Sequence, residues 1–199
     1  MPNRYRTPEA ALAVLKDGNA RFAADHPSMF RQDTQMLRQH TLEIQEPFAA
    51  ILACADSRVP VEVIFDQHIG QLFVTRVAGN MVTPEIQASL EYGAAVLGVR
   101  LILVLGHARC GAVKASIEGG ELPGKIGLLL EHIQAAVNVA GKEFDAVSKA
   151  NARIQAARLL EASPLLAGLV GEGKLGVAAG HYDLASGVVT ILDGTEARG

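Results

Sequence analysis

"RLILVLGHARCGAVKASIEGG", residues 100–120, passes from five branched apolar residues to a glycine, a histidine and a cysteine, and then to a helical pattern. A continuous apolar run bounded by turn signals predicts a strand buried on both faces, here Leu101–Leu105. The helix after it begins near Cys110 and stops at Gly119-Gly120. Upstream, "FAAILACADSRVP" (48–60) repeats the first half of this pattern, with a strand over Phe48–Ala53 that ends at Cys54. Gln71–Val77 reads as another strand, and "TPEIQASLEYGAAVLG" (83–98) as a helix capped by Thr83. "TPEAALAVLKDGNARFAAD" (7–25) opens with the same Thr-Pro-Glu start; Leu12, Leu15, Asn19 and Phe22 recur at helical spacing, on a helix detached from the rest of the chain. The stretch from His26 to Pro47 is polar, with a short helix near Thr34–His40. Downstream come helical patterns around Pro123–Val139 and Lys142–Glu161, and then "KLGVAAGHYDLASGVVTIL" (174–192), two alternating strands about a Ser186-Gly187 turn.

Strands alternating with helices predict an α/β fold: a mainly parallel central sheet flanked by helices, with an antiparallel edge hairpin at the C-terminus and an N-terminal helical arm. The expected organisation is one domain over residues 1–199, with 1–47 as arm and loop and 48–199 as core. A net charge of −3 gives no electrostatic case for nucleic acid. The longest apolar stretch, Phe48 to Ala55, is too short to span a bilayer. The opening "MPNRYRTPEA" has no apolar signal-peptide core, and two distant cysteines make no disulfide framework, so the compartment reads as cytoplasmic. With 49% of residues apolar and no tryptophan, the chain carries more apolar surface than a monomer comfortably buries, which predicts an oligomer.

Parallel sheets place ligand sites outside the carboxyl ends of their strands. Cys54 ends the first strand; His107 ends the third, with Cys110 three residues on. Every thiol of the chain and one of its six histidines thus reach the same sheet edge. Thiolate and imidazole are zinc ligands, and three of them leave a fourth position free. His-x-x-Cys would supply two from one helical face, and Cys110 at a helix N-terminus would favour its thiolate. Spacing alone leaves other readings open: core cysteines, a Cys54–Cys110 redox pair, or a non-catalytic zinc module with Asp56 as fourth ligand.

"CADSR" (54–58) and "HARCG" (107–111) together resemble the paired signatures of the β-carbonic anhydrase family, Cys-x-Asp-x-Arg and His-x-x-Cys-Gly. The resemblance continues through "IFDQHIGQLFVTRVAGN" (64–80), "SLEYGAAVLGVRLILVLGH" (89–107) and the "YDLASG" hairpin (182–187). It implies reversible hydration of carbon dioxide to bicarbonate, with one Zn²⁺ per subunit held by Cys54, His107 and Cys110, and Asp56–Arg58 as catalytic dyad. It further implies a substrate pocket with Gln45, Phe73 and Tyr92, and Ala78 at an apolar position. A homodimer built by exchange of the N-terminal arm, or a homotetramer, is implied as well. Hydrolysis of a related triatomic such as carbon disulfide is the alternative reaction on the same fold.

Two thiolates neutralise the formal charge of zinc, so its water should be less acidic than at a three-histidine site, where the pKa is about 7. Asp56, balanced by Arg58, can accept the hydroxide's hydrogen and aim a lone pair at carbon dioxide. The same ion pair keeps the carboxylate from becoming a fourth ligand. Arg76 is expected to pair with a carboxylate or carbonyl across an interface; His68 and His181 carry no assigned role. Members gated by bicarbonate carry a tryptophan three residues before the first cysteine, where this chain has Ile51.

Overall fold

A computed structural model describes residues 5, 7–29, 34–120 and 122–192; residues 1–4 and 6 of the opening segment lie outside it. Five strands form one sheet in the order β2-β1-β3-β4-β5: β1 (Ala49–Ala53), β2 (Leu72–Arg76), β3 (Leu101–His107), β4 (Gly176–Tyr182) and β5 (Val189–Ile191). The first four are parallel and β5 runs antiparallel to β4. The helices are α1 (Pro8–Ala23), α2 (Thr34–His40), α3 (Val61–Ile64), α4 (Pro84–Ala95), α5 (Gly111–Glu118), α6 (Gly127–Ala140), α7 (Phe144–Ala162) and α8 (Pro164–Gly171).

Period-two alternation divides the core. Ala49, Ile51 and Ala53 of β1 join Leu101, Leu103 and Leu105 of β3 on one face, under Leu15 of α1 and Val61 and Ile64 of α3. Ala50, Leu52, Ile102 and Val104 face the other way, against Leu90 of α4, Ala152, Ala156 and Leu159 of α7, and Leu166 of α8. With both faces covered, β1 and β3 read as unbroken apolar runs.

Four expectations are corrected. β4 is not an alternating strand: all seven of its residues are buried, because it is interior, flanked by β3 and β5. The helix expected from Pro123 begins at Gly127, after Gly124 takes a left-handed φ of 62°. Two helices lie outside the expected set: the single turn α3 after Pro60, and α8, which Ser163 caps by accepting the N–H of Leu166. Finally, α1 is not detached. Ala11 and Leu15 are fully buried, and a Cβ on Gly18 would fall 1.9 Å from the Phe65 carbonyl oxygen, so only glycine permits this close approach. Asn19, 5% exposed, donates to the carbonyls of Ile64 (3.2 Å) and Gly187 (2.9 Å) and accepts the Val189 N–H (2.8 Å). One amide thus ties α1 to α3 and to the hairpin.

Asp66, at φ 49° just past α3, secures the next segment. Burial would raise the pKa of its carboxyl, but it accepts from the Ser28 and Met29 backbone, the Ser28 hydroxyl and Arg21, and these hold it down to about 2.

Candidate metal centre

β1 and β3 are neighbours, with Ala53 opposite Leu105. The chain leaves β1 for β2 on one side of this pair and reaches β4 on the other. Their carboxyl ends therefore bound the crevice that a strand-order switch opens in a parallel sheet. Cys54 is the residue after β1, and His107 is the last of β3.

His107 and Cys110 do not share a helical face, contrary to the expectation from their spacing. His107 still belongs to the strand, and Cys110 is the N-cap of α5, at φ −64° and ψ 124°. Between them Arg109 takes a left-handed φ of 53°, which folds the turn tightly enough to bring the two side chains together. The two Sγ atoms and an imidazole nitrogen lie within 4.8 Å of one another, all three residues buried.

The donor chemistry suits a soft or borderline cation. Nδ1 of His107 lies 2.9 Å from the carbonyl oxygen of Ala108. A carbonyl only accepts, so Nδ1 carries the proton and Nε2 presents a lone pair. That Nε2 is buried with no hydrogen-bond partner. Such an atom is costly in a core unless something binds it. Cys54 Sγ accepts the N–H groups of Asp56 and Gly79, each at 3.4 Å. Its pKa is held down to about 4, first by the hydrogen bond from Cys110, with burial opposing and the two backbone N–H groups assisting. The Cys110 thiol is pushed up by the same bond and by burial. The pair thus holds one proton and one negative charge, and a bound dication would replace that proton. Both cysteines are free.

Asp56 stands outside this cluster, clamped by its neighbour two residues on. Oδ1 accepts the backbone N–H and the Nε–H of Arg58, both at 2.9 Å, and Oδ2 accepts Nη2–H at 2.7 Å. The Arg58 side chain holds the Asp56 carboxyl well below the usual carboxylate range, against the opposing effect of burial. Arg58 also donates to the Arg109 carbonyl at 3.2 Å, linking the two signature turns. Arg76 finds its carbonyls within its own chain rather than across an interface: it donates to Cys54 O (2.9 Å) and Asp56 O (2.5 Å). Two contacts of the centre are not signalled by the sequence. Gly79 supplies an N–H to the Cys54 sulfur, and Ser148 Oγ donates to the His107 carbonyl at 2.9 Å.

Of the four residues read as a substrate pocket, Ala78 alone adjoins this cluster, next to Gly79. Gln45 is exposed and precedes β1, so it lies at the amino end of the sheet. The strand between it and Cys54 spans about 17 Å at roughly 3.3 Å per residue. Phe73 pairs with Ala50 in register, near the start of β2. Its ring lies 6.2 Å from that of Tyr92, which is 47% exposed on the outer side of α4.

His68 lines a different cavity, with Arg21 and Asp66. His181 is buried on β4, and its Nε2 has no partner. Burial pushes its pKa below the ordinary 6.5; Asp145 and Asp183 oppose this, and Lys149 adds to it. Above pH 6.5 the ring is neutral in both folded and unfolded chains. Below it the unfolded chain takes a proton that the folded chain refuses, so stability is lost as pH falls toward the lowered value. His181→Gln is expected to shrink the fall in melting temperature between about pH 7.5 and about pH 5.5 by a few degrees. A fall equal to that of the wild type would contradict this.

The family model described as carbonic anhydrase matches residues 49–189. This chain belongs to the β-carbonic anhydrase family. Two relatives match over nearly their whole length. A carbonic anhydrase of Mycolicibacterium smegmatis is 36% identical, covering 96% of this chain and 95% of its own. Carbonic anhydrase 2 of Mycobacterium tuberculosis is 35% identical, covering 97% and 96%. Among solved structures, the β-carbonic anhydrase CcaA superposes with a TM-score of 0.75 at 25% identity, over 92% of this chain and 95% of that one. The Coccomyxa β-carbonic anhydrase in complex with acetazolamide gives 0.73 at 25% identity, over 91% and 86%. As a member of the family this chain is a zinc enzyme, and its Cys54, His107 and Cys110 could hold the metal.

Proposed function

We propose that the chain hydrates carbon dioxide reversibly to bicarbonate and a proton, with one zinc held by Cys54, His107 and Cys110. The observation that carries this is the convergence of two sulfurs and an unpartnered imidazole nitrogen within 4.8 Å, beside a clamped carboxylate. Zinc, when bound, supplies a Lewis acid that makes a water acidic enough to act as nucleophile near neutral pH.

Asp56 is ionised throughout the working range, so it accepts hydrogen bonds and donates none. Both lone pairs of Oδ1 are taken by Arg58, whereas Oδ2 receives one bond and retains an acceptor site. Accepting a hydrogen bond from the attacking water on Oδ2 turns the water's own lone pair toward the carbon of the substrate. Arg58 holds the carboxylate in that pose and away from the metal ligands, which argues against a closed site with Asp56 as fourth ligand. Stopped-flow hydration by the purified chain tests the reaction: carbon dioxide is turned over, and carbon disulfide hydrolysis without carbon dioxide hydration would favour the alternative.

The working form is a homo-oligomer whose substrate pocket is completed by a second subunit. Gln45 and Phe73 lie several residues from the carboxyl end of the sheet that carries Cys54, and the Phe73 ring meets Tyr92, while Leu42, Ile44, Tyr92 and Val96 are large apolar side chains left exposed. In a two-fold dimer such a face can serve the partner's metal centre. Complementation measures this. One chain carries His107→Ala, and the other Phe73→Ala with Tyr92→Ala. Each is inactive alone, and mixing by refolding is expected to recover about a quarter of wild-type activity, from the one intact site in each mixed dimer. No recovery, with mixed dimers demonstrated, would place the pocket within one chain. Among the described residues no helix is long and apolar enough to cross a membrane.

A further inference from the structure

We propose that Ser148, Asn151 and Gln155 of α7 form a buried positioning ladder that fixes the backbone around Cys54 and His107 and so tunes the metal–thiolate bond. This rests on the reading that Cys54, His107 and Cys110 hold the zinc. Residues 148, 151 and 155 follow i, i+3, i+7 and share one helical face. They are 2%, 1% and 0% exposed. Their hydrogen bonds run toward the metal centre and the loop beside it. Ser148 Oγ donates to His107 O at 2.9 Å, and Asn151 Nδ2 to Gly79 O at 2.9 Å. Gln155 Oε1 accepts the Val82 N–H at 2.9 Å, while its Nε2 donates to Asn151 Oδ1 (3.1 Å) and to His132 O (3.3 Å).

A core helix has no need of these amides. Apolar residues of the same shape would pack there at little or no net cost, whereas each buried amide must find all its partners. The adjacent residues of α7, Ala152, Ala156 and Leu159, show the ordinary solution on the sheet side. The polar line faces instead the loop between β2 and α4, which has no ladder of its own. Gly79 and Asn80 stand there at φ 76° and 43°. Gly79 can turn freely about its backbone, and the peptide that follows it is held on both edges: Asn80 N–H donates to Val77 O at 2.9 Å, and Asn151 takes the Gly79 carbonyl, so losing Asn151 leaves one of two restraints on the loop that aims the Gly79 N–H at the Cys54 sulfur. At φ 76° a side chain on residue 79 would be strained, and its Cβ would meet Ile133 Cδ1 at 2.7 Å, so glycine holds that position. The same helix presses on β3: a Cβ on Gly106 would meet Ser148 O at 3.0 Å and Oγ at 3.1 Å. Gly106 thus lets Ser148 reach the His107 carbonyl.

An N–H donated to a thiolate lowers the energy of the sulfur lone pairs. Losing it should move the sulfur-to-metal charge-transfer band of the cobalt(II)-substituted protein to longer wavelength. Partners of this kind typically govern metal affinity by about 10–100-fold. The test compares Asn151→Leu, Gln155→Glu and Leu159→Ala with the wild type, by cobalt(II) absorption and by zinc competition with a chelator. Gln155→Glu keeps the acceptor for Val82 and loses the donor to Asn151, so it decides the question should Asn151→Leu fail to fold. We expect a red-shifted band and roughly 10-fold weaker zinc in Asn151→Leu, and the same direction, smaller, in Gln155→Glu. Leu159→Ala should lower the melting temperature yet keep the wild-type band and affinity. A wild-type band and affinity in both ladder variants, or an equal shift in Leu159→Ala, would overturn the proposal. A wild-type protein that took up cobalt without any thiolate band would instead overturn the assignment of the metal ligands.

Discussion

His107→Ala is expected to leave a folded chain that retains no zinc after dialysis against a chelator and hydrates carbon dioxide no faster than buffer. The ring is fully buried, its Nδ1–H is committed to the Ala108 carbonyl, and its Nε2 has no partner within the protein. Alanine removes that lone pair and leaves two sulfurs, too few to hold the ion against a competing chelator. The lost function is large because bound zinc lowers the pKa of its water far below the 15.7 of bulk water, even where two thiolates make it less acidic than at a three-histidine site. A fall of at least about 10³-fold is therefore expected, with circular dichroism unchanged. Cys54→Ser and Cys110→Ser should behave alike, since hydroxyls are poor substitutes for thiolates at this metal. A zinc-loaded, active His107→Ala protein would refute the ligand set.

The second large effect belongs to the Asp56–Arg58 pair. Asp56→Asn keeps the size of the side chain but presents donors where Oδ2 accepted, so it can no longer orient the attacking water. A loss of roughly 10²–10³-fold in kcat is expected, with zinc content unchanged. Arg58→Ala acts differently. It deletes the Nε–H and Nη2–H bonds and leaves only the backbone N–H of residue 58 on Oδ1. The guanidinium side chain is the main reason the Asp56 pKa is depressed, so removing it moves that pKa upward, toward the ordinary 3.8. Even there the carboxyl stays ionised across the working range, so its own titration does not move the acid limb of the activity profile. The freed carboxylate can instead turn onto the metal, which deepens the loss at low pH. With 51% of its side chain exposed, Arg58 contributes little to folding, and the melting temperature should hardly move. Wild-type rates for Arg58→Ala from mildly acidic to alkaline pH would show that the pair does not gate the site.

A structural feature is legible in the sequence when it leaves a local trace. β1 and β3 are buried on both faces, so their apolar runs announce both the parallel sheet and the strand ends that carry Cys54 and His107. Residues whose role depends on a distant segment leave no such trace. Gly79 reaches the Cys54 sulfur across 25 positions, and nothing near it reports that contact. Asn151 and Gln155 look like solvent-facing amides because a helix gives no local sign of which polar residues it buries. The docking of α1 is hidden for the same reason, since Gly18 and Asn19 meet partners 45 or more residues away. Gln45, Phe73 and Tyr92 present the opposite case: family resemblance names their role, but one chain does not bring them to the metal.

Zinc readdition to the metal-free chain, with bound metal and carbon dioxide hydration read on the same sample, tests the account most directly. The rate is expected to be at background without metal, to rise in proportion to bound zinc, and to level off at one ion per chain. Hydration by the zinc-free chain, or full zinc occupancy with no hydration between mildly acidic and alkaline pH, would contradict it.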